Sequence, residues 1–459
     1  MPSILGANTL SSGFNIANSC NFEDGSLHKA ISSPSTTYTI SAWFKLSNSD
    51  VAASSAGNIY LWTGGTNSGG SGAHWNNSNT QVLKFYNEGV GHGTDGTGRK
   101  YRDPSAWYNW VWKCAGGTGT LYVNGVQSGS TFSMGAINNY GDFINVGRYS
   151  NGTDYAQVTM AEFVYLDGTA ATPSSFGEVD DDSGIWKPID VSGLTFGTNG
   201  FHLDFQTAGT LGNDANGGTD LTKTGTLVQH TDTPTNNFAT INPLDNHYAS
   251  ATLSKGNTKV ATNASAEAMS TSTFAMTKGR WYFEVDFISN SGNVSRQCGI
   301  TPHGSQTMSG ISGKSGDVTP YTHAYSDSGN LQTGNGSGGQ TALATLSSFT
   351  NGDIIGIYMD LEDMKSYWSK NGTLMNSGTG IDLTALASNG TGHYMFYVGD
   401  NNSAAQTCEA NFGNGFQSLT SAVADDNGYG AFEYSPNITG DGTAKSFYSC
   451  CSKNLAEFG

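Results

Sequence analysis

The chain has 459 residues, enough for about two to four domains that each bury a core of their own. Its 62 glycines exceed the usual roughly 7%, and its charged residues, at 12%, fall far below the usual roughly 25%; this excludes a helical or coiled-coil protein and favours many short strands joined by turns. A net charge of −17 with no Lys/Arg cluster argues against nucleic acid as a partner, and no run of about 18 apolar residues is present to span a membrane. Residues 1–14 lack a basic stretch followed by an apolar one, so no signal peptide is expected and synthesis in a cytoplasm is. Six cysteines carry no CxxC pairing and no histidine at zinc-ligand spacing, so neither structural zinc nor a disulfide framework is expected.

In chain order, the first clear strand is 38–46, where Tyr38, Ile40, Ala42, Phe44 and Leu46 alternate with Thr39, Ser41, Trp43 and Lys45, which predicts one core face. Residues 107–113 and 120–123 follow, and Asn124-Gly125 supplies the two positive φ angles of a type I′ hairpin turn. Runs at 143–146 and 160–166 complete a strand set of sandwich type, ending near Gly168. The stretches "TISAWFKLS", "DPSAWYNWVWKC" and "TLYVNGVQ" resemble the laminin G-like or pentraxin-like branch of the concanavalin A-type jelly rolls over about residues 15–168.

From 169 to 246 the pattern changes to scattered prolines, an acidic run around Asp180, and little alternation, which predicts a connector. Its sequences "DGTAATPSSFGEVDDDSGIWKP", "GTNGFHLDF" and "DTPTNNFATINP" resemble the segment that follows laminin G-like domains in tailed-phage structural proteins, marine phages among them. Phe201, Leu203 and Phe205 alternate, so an ordered strand is expected inside it.

The second domain begins near His247. Trp281, Phe283, Val285 and Phe287 alternate with Tyr282, Glu284, Asp286 and Ile288, and 352–361 pairs with 365–369 across Glu362-Asp363 as a hairpin. "GRWYFEVDF", "GDIIGIYMDLEDMKSYWSKNGTL", "EANFGNGF" and a late "KNL" resemble the SPRY family in that family's order. The expected fold class is therefore all-β: two antiparallel β-sandwiches, a laminin G-like/concanavalin A-like jelly roll at 1–168 and a SPRY-like bent sandwich at 247–459, joined by a partly ordered connector at 169–246.

Chemistry has few footholds. Glu284 and Asp286 share a strand face, as paired glycosidase carboxylates do, but the jelly-roll glucanase pattern Glu-x-Asp-x-x-Glu fails at Ser289, and a solvent-facing pair is the expectation. No histidine adjoins a nucleophile elbow, and the glycine runs near 64–72 and 334–339 lack the Lys-Ser/Thr of a phosphate loop, so no enzyme activity is expected. Sugar recognition needs aromatic faces with amides, for which Trp75, Asn76, Asn77, Tyr140 and Tyr149 are the candidates in the first domain. The SPRY resemblance implies partner binding through loops, with Tyr321, His323, Tyr325 and Trp368 as candidates. The laminin G resemblance implies calcium near such loops; Asp142, Asn151 and Asp154 are the candidate ligands, but the sequence offers no dense oxygen-ligand motif and no cofactor is expected.

Together these features predict a structural virion protein of a tailed phage, exposed on the tail or capsid exterior after synthesis in the host cytoplasm. A tail fibre or adhesion appendage binding host-surface polysaccharide is favoured over a head decoration or tail-assembly protein that binds only other virion proteins. A homo-oligomer is expected, a trimer by analogy with other appendages, although no heptad repeat supplies a stalk.

Overall fold

The computed structural model describes residues 13–47, 58–65, 71–76, 82–87, 91–94, 99–101, 103–137, 143–149, 155–156, 158–181, 183–248, 251–263, 268–291, 296–303, 322–334, 340–387, 392–400, 405–416 and 419–459. The chain divides into two compact units, one formed by Leu5–Asn237 with Ser254–Gly256, the other by Phe238–Leu253 and Asn257–Gly459. Both are all-β, as the sequence leads one to expect.

Two large antiparallel sheets form the first unit, with a two-stranded pairing of Gly177–Val179 and Trp186–Pro188 beside them. One runs in the order Val126–Ser133, Thr118–Val123, Trp107–Ala115, Tyr38–Lys45, Thr159–Asp167, Ser19–Asn21, Val228–His230. The other runs Thr222–Thr224, Ser26–Ala30, Phe143–Val146, Asn58–Gly64, Ser71–Asn76, Val82–Asn87, Gly91–Thr94. The Asn124-Gly125 turn has φ of 47° and 79° and closes Val123 on Val126, the geometry its two-residue loop demands.

Strand Tyr38–Lys45 is buried along its whole length, not on one face alone. Tyr38, Ile40, Ala42 and Phe44 enter the core between the sheets. The outer face of this sheet is covered as well, because Phe176, Val191 and Phe196 pack on Val111, Val164 and Leu166, and Ile16 packs with Trp43 and Trp107.

The segment expected as a connector is largely part of this unit. Phe201–Leu203 pairs with Thr159–Asp167, Val228–His230 with Ser19–Asn21, and Thr222–Thr224 with Ser26–Ala30. Phe201, Leu203, Phe205, Leu211, Leu221 and Leu227 all enter the main core. The unit boundary thus falls after Asn237, where the sequence reading places the end of the first domain at 168. Short three-residue strands separated by Gly and Asn carry too little alternation to be read as sheet members.

In the second unit one sheet is ordered Ile241–Tyr248, Ala268–Ser272, Tyr394–Asp400, Arg296–Pro302, His323–Ser326, Asn330–Gly334, Gln340–Thr345. The other centres on Arg280–Asn290, flanked by Ile354–Asp360 and Gln406–Asn411, with Lys365–Lys370 beyond. Trp281, Phe283, Val285 and Phe287 fill the core with Phe396 and Phe412. Tyr282 points the other way, yet is buried in a smaller core with Tyr358, Tyr367, Phe432 and Phe447. All six cysteines are buried as free thiols.

A fragment ending at Gly168 would lose those six core side chains of the 201–227 stretch. Each contributes about 1.5–3 kcal/mol on burial, and their sum is comparable with a typical total stability of about 5–15 kcal/mol. Denaturant unfolding is expected to show a cooperative transition for the fragment Leu5–Asn237 and none for Leu5–Gly168; cooperative folding of the shorter one would make the later strands dispensable.

Candidate functional site

A cleft of about 580 Å³ opens in the first unit where four chain segments meet. Strand Ser26–Ala30 supplies His28, Lys29 and Ala30; strand Phe143–Val146 supplies Phe143 at its first position. The turns at 197–200 and 216–220 and the start of strand Thr222–Thr224 form the remaining walls.

Both turns are held by carboxylates. Asp167 accepts from Ser35 N at 2.9 Å and from Asn199 Nδ2 at 2.7 Å, while Asn199 also exchanges hydrogen bonds with the Ser32 backbone at 3.0 Å. Gly197 has φ +77°, and a Cβ there would stand 2.0 Å from the Asp167 carbonyl oxygen, so the turn requires glycine. Asp214 accepts from His202 N at 3.0 Å and Asn216 N at 3.1 Å, sits 3.5 Å from the Lys29 ammonium, and donates its own N–H to Asp220 at 3.0 Å. These bonds fix both turns, and with them the cleft walls.

The surface so held is chemically mixed. Phe143 is 36% exposed, and its ring lies 6.1 Å from that of His28. Burial, with the Arg148 charge second, holds His28 below its ordinary pKa, so it meets the cleft as a neutral imidazole. Thr198, Asn216, Thr219, Asp220 and Thr222 are exposed around it. An aromatic ring beside hydroxyl, amide and carboxylate groups can cover an apolar ring face while pairing with its polar substituents.

The sequence candidates fare differently. Trp75 is only 4% exposed and belongs to the main core, so it is not a stacking platform. Tyr149 is half-buried with its ring 4.4 Å from that of Tyr60. Asn76 ends strand Ser71–Asn76, and its side chain lies outside the described residues, as do Asn77, Tyr140, Asp142, Asn151, Asp154 and Tyr321 entirely. Among the described residues no group of three or more His, Cys, Asp or Glu is placed to hold a metal ion. Asp180 of the acidic run accepts from Ser183 N at 2.9 Å and from Lys187 at 3.1 Å, and these bonds pull its pKa down to about 2.

In the second unit the partner-binding candidates are interior. His323 and Tyr325 lie in a strand buried at every position, and Trp368 is core. The Trp368 indole donates to Ser366 Oγ at 3.1 Å, His323 Nδ1 lies 3.4 Å from the same oxygen, and the Tyr325 hydroxyl donates to the Ser347 carbonyl. Tyr367, on the opposite strand face from Trp368, is buried too. Aromatic residues at strand ends read equally well as surface or core; what decides is the covering chain, which spacing does not reveal. A second recess of about 560 Å³ in this unit is lined instead by 345–347, 370–371 and 373–376.

Glu284 is the clearest departure. Instead of facing solvent it is fully buried, accepting from Tyr282 Oη at 2.9 Å, Asn411 Nδ2 at 3.0 Å, Glu433 N at 2.9 Å and Tyr434 N at 2.8 Å. Burial pushes its pKa up to about 7 against those four donors. Asp286 is half-buried two residues away. A carboxylate sealed under residues 433–434 clamps chain and has no room for a sugar. The turn acid Asp360 is likewise buried, holding Arg280 at 3.0 Å and Lys445 at 2.9 Å.

With this geometry in view, residues 21–175 match the family described as the Concanavalin A-like lectin/glucanases superfamily. No curated protein matches. Among solved structures, the chain is similar to the SPRY domain of human HERC1, at 17% identity and TM-score 0.29, over 37% of this chain and 96% of that one. It is also similar to a putative carbohydrate binding protein from Bacteroides ovatus ATCC 8483, at 16% identity and TM-score 0.34, over 47% of this chain and 60% of that one. A human SPRY domain is similar at 15% identity and TM-score 0.23, over 33% and 89%.

Replacing Glu284 by Gln sets an amide nitrogen against backbone donors and is expected to cost about 2–4 kcal/mol, read as a lowered unfolding midpoint in denaturant; an unchanged midpoint would mean the four bonds are not formed. His323 gives a pH effect of definite sign. Burial pushes it down to about 4, while the unfolded chain titrates near 6.5, so its contribution to stability is whole above 6.5 and is lost as pH falls towards 4. Thermal unfolding of His323→Asn is expected to depend less on pH across that window than the parent does.

Proposed function

We propose that this is a non-enzymatic carbohydrate-binding protein whose first unit takes a short oligosaccharide in the 580 Å³ cleft. The observation that carries the reading is the pairing of half-exposed Phe143 with the exposed groups of Asn216, Thr219, Asp220 and Thr222 on rigid turns. Phe143 stacks on a sugar's C–H face, Asp220 and Asn216 pair with its hydroxyls, and neutral His28 either donates or accepts. The volume falls in the range of about 300–1,000 Å³ usual for small-ligand sites. The superfamily matched by residues 21–175 has lectins in its description, which agrees with this role. The reading needs no cofactor, because every contact is made by the protein.

The finer assignment rests on the sequence resemblance of 167–243 to tailed-phage structural proteins. On that basis the chain is a virion surface protein, on a tail fibre or other adhesion appendage, and the ligand is host-surface polysaccharide. Single-site affinity is millimolar to micromolar, raised by copies on the particle through effective concentration. Virion neighbours and a homo-oligomer, a trimer by analogy, complete the reading.

Phe143→Ala and Asp220→Asn are each expected to weaken glycan binding about tenfold or more, a change of about 1.4 kcal/mol, with unfolding midpoints close to the parent's. A glycan array and whole-cell binding that both stay blank for the parent protein would remove the sugar reading. Electron cryo-microscopy of the particle addresses the location: the cleft projecting from the tail fits adhesion, and its burial between capsid subunits would make the chain a decoration protein.

A further inference from the structure

Lys45 closes the central strand Tyr38–Lys45, and its ammonium group is buried between two side chains from the far end of the unit. Nζ lies 2.6 Å from Asp232 Oδ2 and 2.7 Å from Asn237 Oδ1. Asp232 is itself fixed, its other oxygen accepting from Trp107 Nε1 at 3.1 Å. Asn237 is fixed as well, since Nδ2 donates to the Ser105 carbonyl at 2.6 Å. These contacts aim the amide carbonyl at the amine and the amide nitrogen away from it.

A buried lysine beside an aspartate is by itself an ordinary ion pair. The third member changes the chemistry, because an amide carbon bonded to Oδ1 stands about 1.2 Å beyond it. A modest rotation of the side chain then brings Nζ to the about 3–3.5 Å of a near-attack contact. Trp43, Trp107 and Ile16 pack together in the core beside the end of this strand and keep water from competing. Burial also lowers the Lys45 pKa, with the Asp232 charge opposing, which eases formation of the neutral amine that is the nucleophile.

We propose that Lys45 and Asn237 join without any other protein into an intramolecular isopeptide bond, with Asp232 as the proton carrier. Asp232 takes one ammonium proton, Nζ attacks Cγ of Asn237, and the N–C bond forms. Asp232 hands that proton to Nδ2, the Cγ–Nδ2 bond breaks, and ammonia departs. The ammonia then takes, by way of Asp232, the extra proton on the new amide nitrogen. One ammonium and one carboxamide thus become one secondary amide and one ammonium ion, with no oxidant or energy source. The link closes a loop whose ends are 192 positions apart and ties the end of the unit's main segment, Leu5–Asn237, to its central strand.

The test is the intact mass of the purified full-length protein under denaturing conditions, followed by tryptic peptide mapping. The expected result is a chain lighter by one ammonia, no cleavage after Lys45, and a branched peptide that joins the Lys45 and Asn237 segments. Succinimide formation at an Asn-Gly pair such as Asn124-Gly125 also releases ammonia, so the branched peptide is the deciding signal. Asp232→Asn keeps the shape of the site and removes the proton carrier, and is expected to give unbranched peptides and the mass of its sequence. Linear peptides with a free Lys45 from the folded parent protein would overturn the proposal and leave a buried ion pair. Because that measurement is made on the parent, it stands even where the variant fails to fold.

Discussion

Each unit is closed by a late stretch of its own chain that returns to bind a buried ionisable side chain on a central strand. In the first unit Asp232 and Asn237 return to Lys45; in the second, the backbone of Glu433 and Tyr434 returns to Glu284. An uncompensated charge in such a place costs several kcal/mol, so the closing stretch has one register in which the charge is satisfied. An apolar contact tolerates slippage by a residue or two; a carboxylate with four donors does not. This constraint selects one path for long segments that carry few strong local signals.

The same closures explain how so glycine-rich and charge-poor a chain buries sheets on both faces. In the first unit, residues 176–196 cover the outside of the sheet that contains Lys45. In the second, Phe432 and Phe447 cover Tyr282, Tyr358 and Tyr367, while Lys445 reaches the buried Asp360. Asp425 extends the second case, accepting from Ser449 N and Oγ and from Asn454, so the final helix Ser452–Phe458 is tied to the returning chain. The covering layers contribute apolar burial; the buried charges set where that burial happens.

Legibility in the sequence follows the range of the interactions. Local geometry was readable: the hairpin at Asn124-Gly125, the pairing of 354–360 with 365–370, and strand 201–203 all sit where turn chemistry and alternation put them. Long-range covering was not. Trp75, His323, Tyr325 and Trp368 look like binding residues because aromatic rings among polar neighbours look alike in a sequence whether or not another segment lies over them. Glu284 reads as solvent-facing for the same reason, since three of its four partners are 127 to 150 positions away. The cleft is not legible in the sequence because its polar residues lie in the connector-like stretch, and it is the pairing of Thr222–Thr224 with Ser26–Ala30 that brings them beside His28 and Phe143. The run of Asn, Gly, Thr and Asp at 213–220 was the available signal, and it reads first as turn chemistry.

Wall and closure in the first unit belong to one continuous length of chain. The cleft turns occupy 197–220, and the segment that returns to Lys45 begins a few residues later. At the upstream end Asp167 holds Asn199; at the downstream end Lys45 holds Asp232 and Asn237, with strand Val228–His230 paired between. A loop fixed at both ends gives up little further entropy when a ligand arrives, which is what a shallow polar site needs to bind at all. A covalent Lys45–Asn237 bond makes the downstream anchor independent of the strength of an ion pair. Force applied to the chain beyond Asn237 would then pass into the central strand through a bond and would leave the 197–220 turns, and the cleft they form, undisturbed.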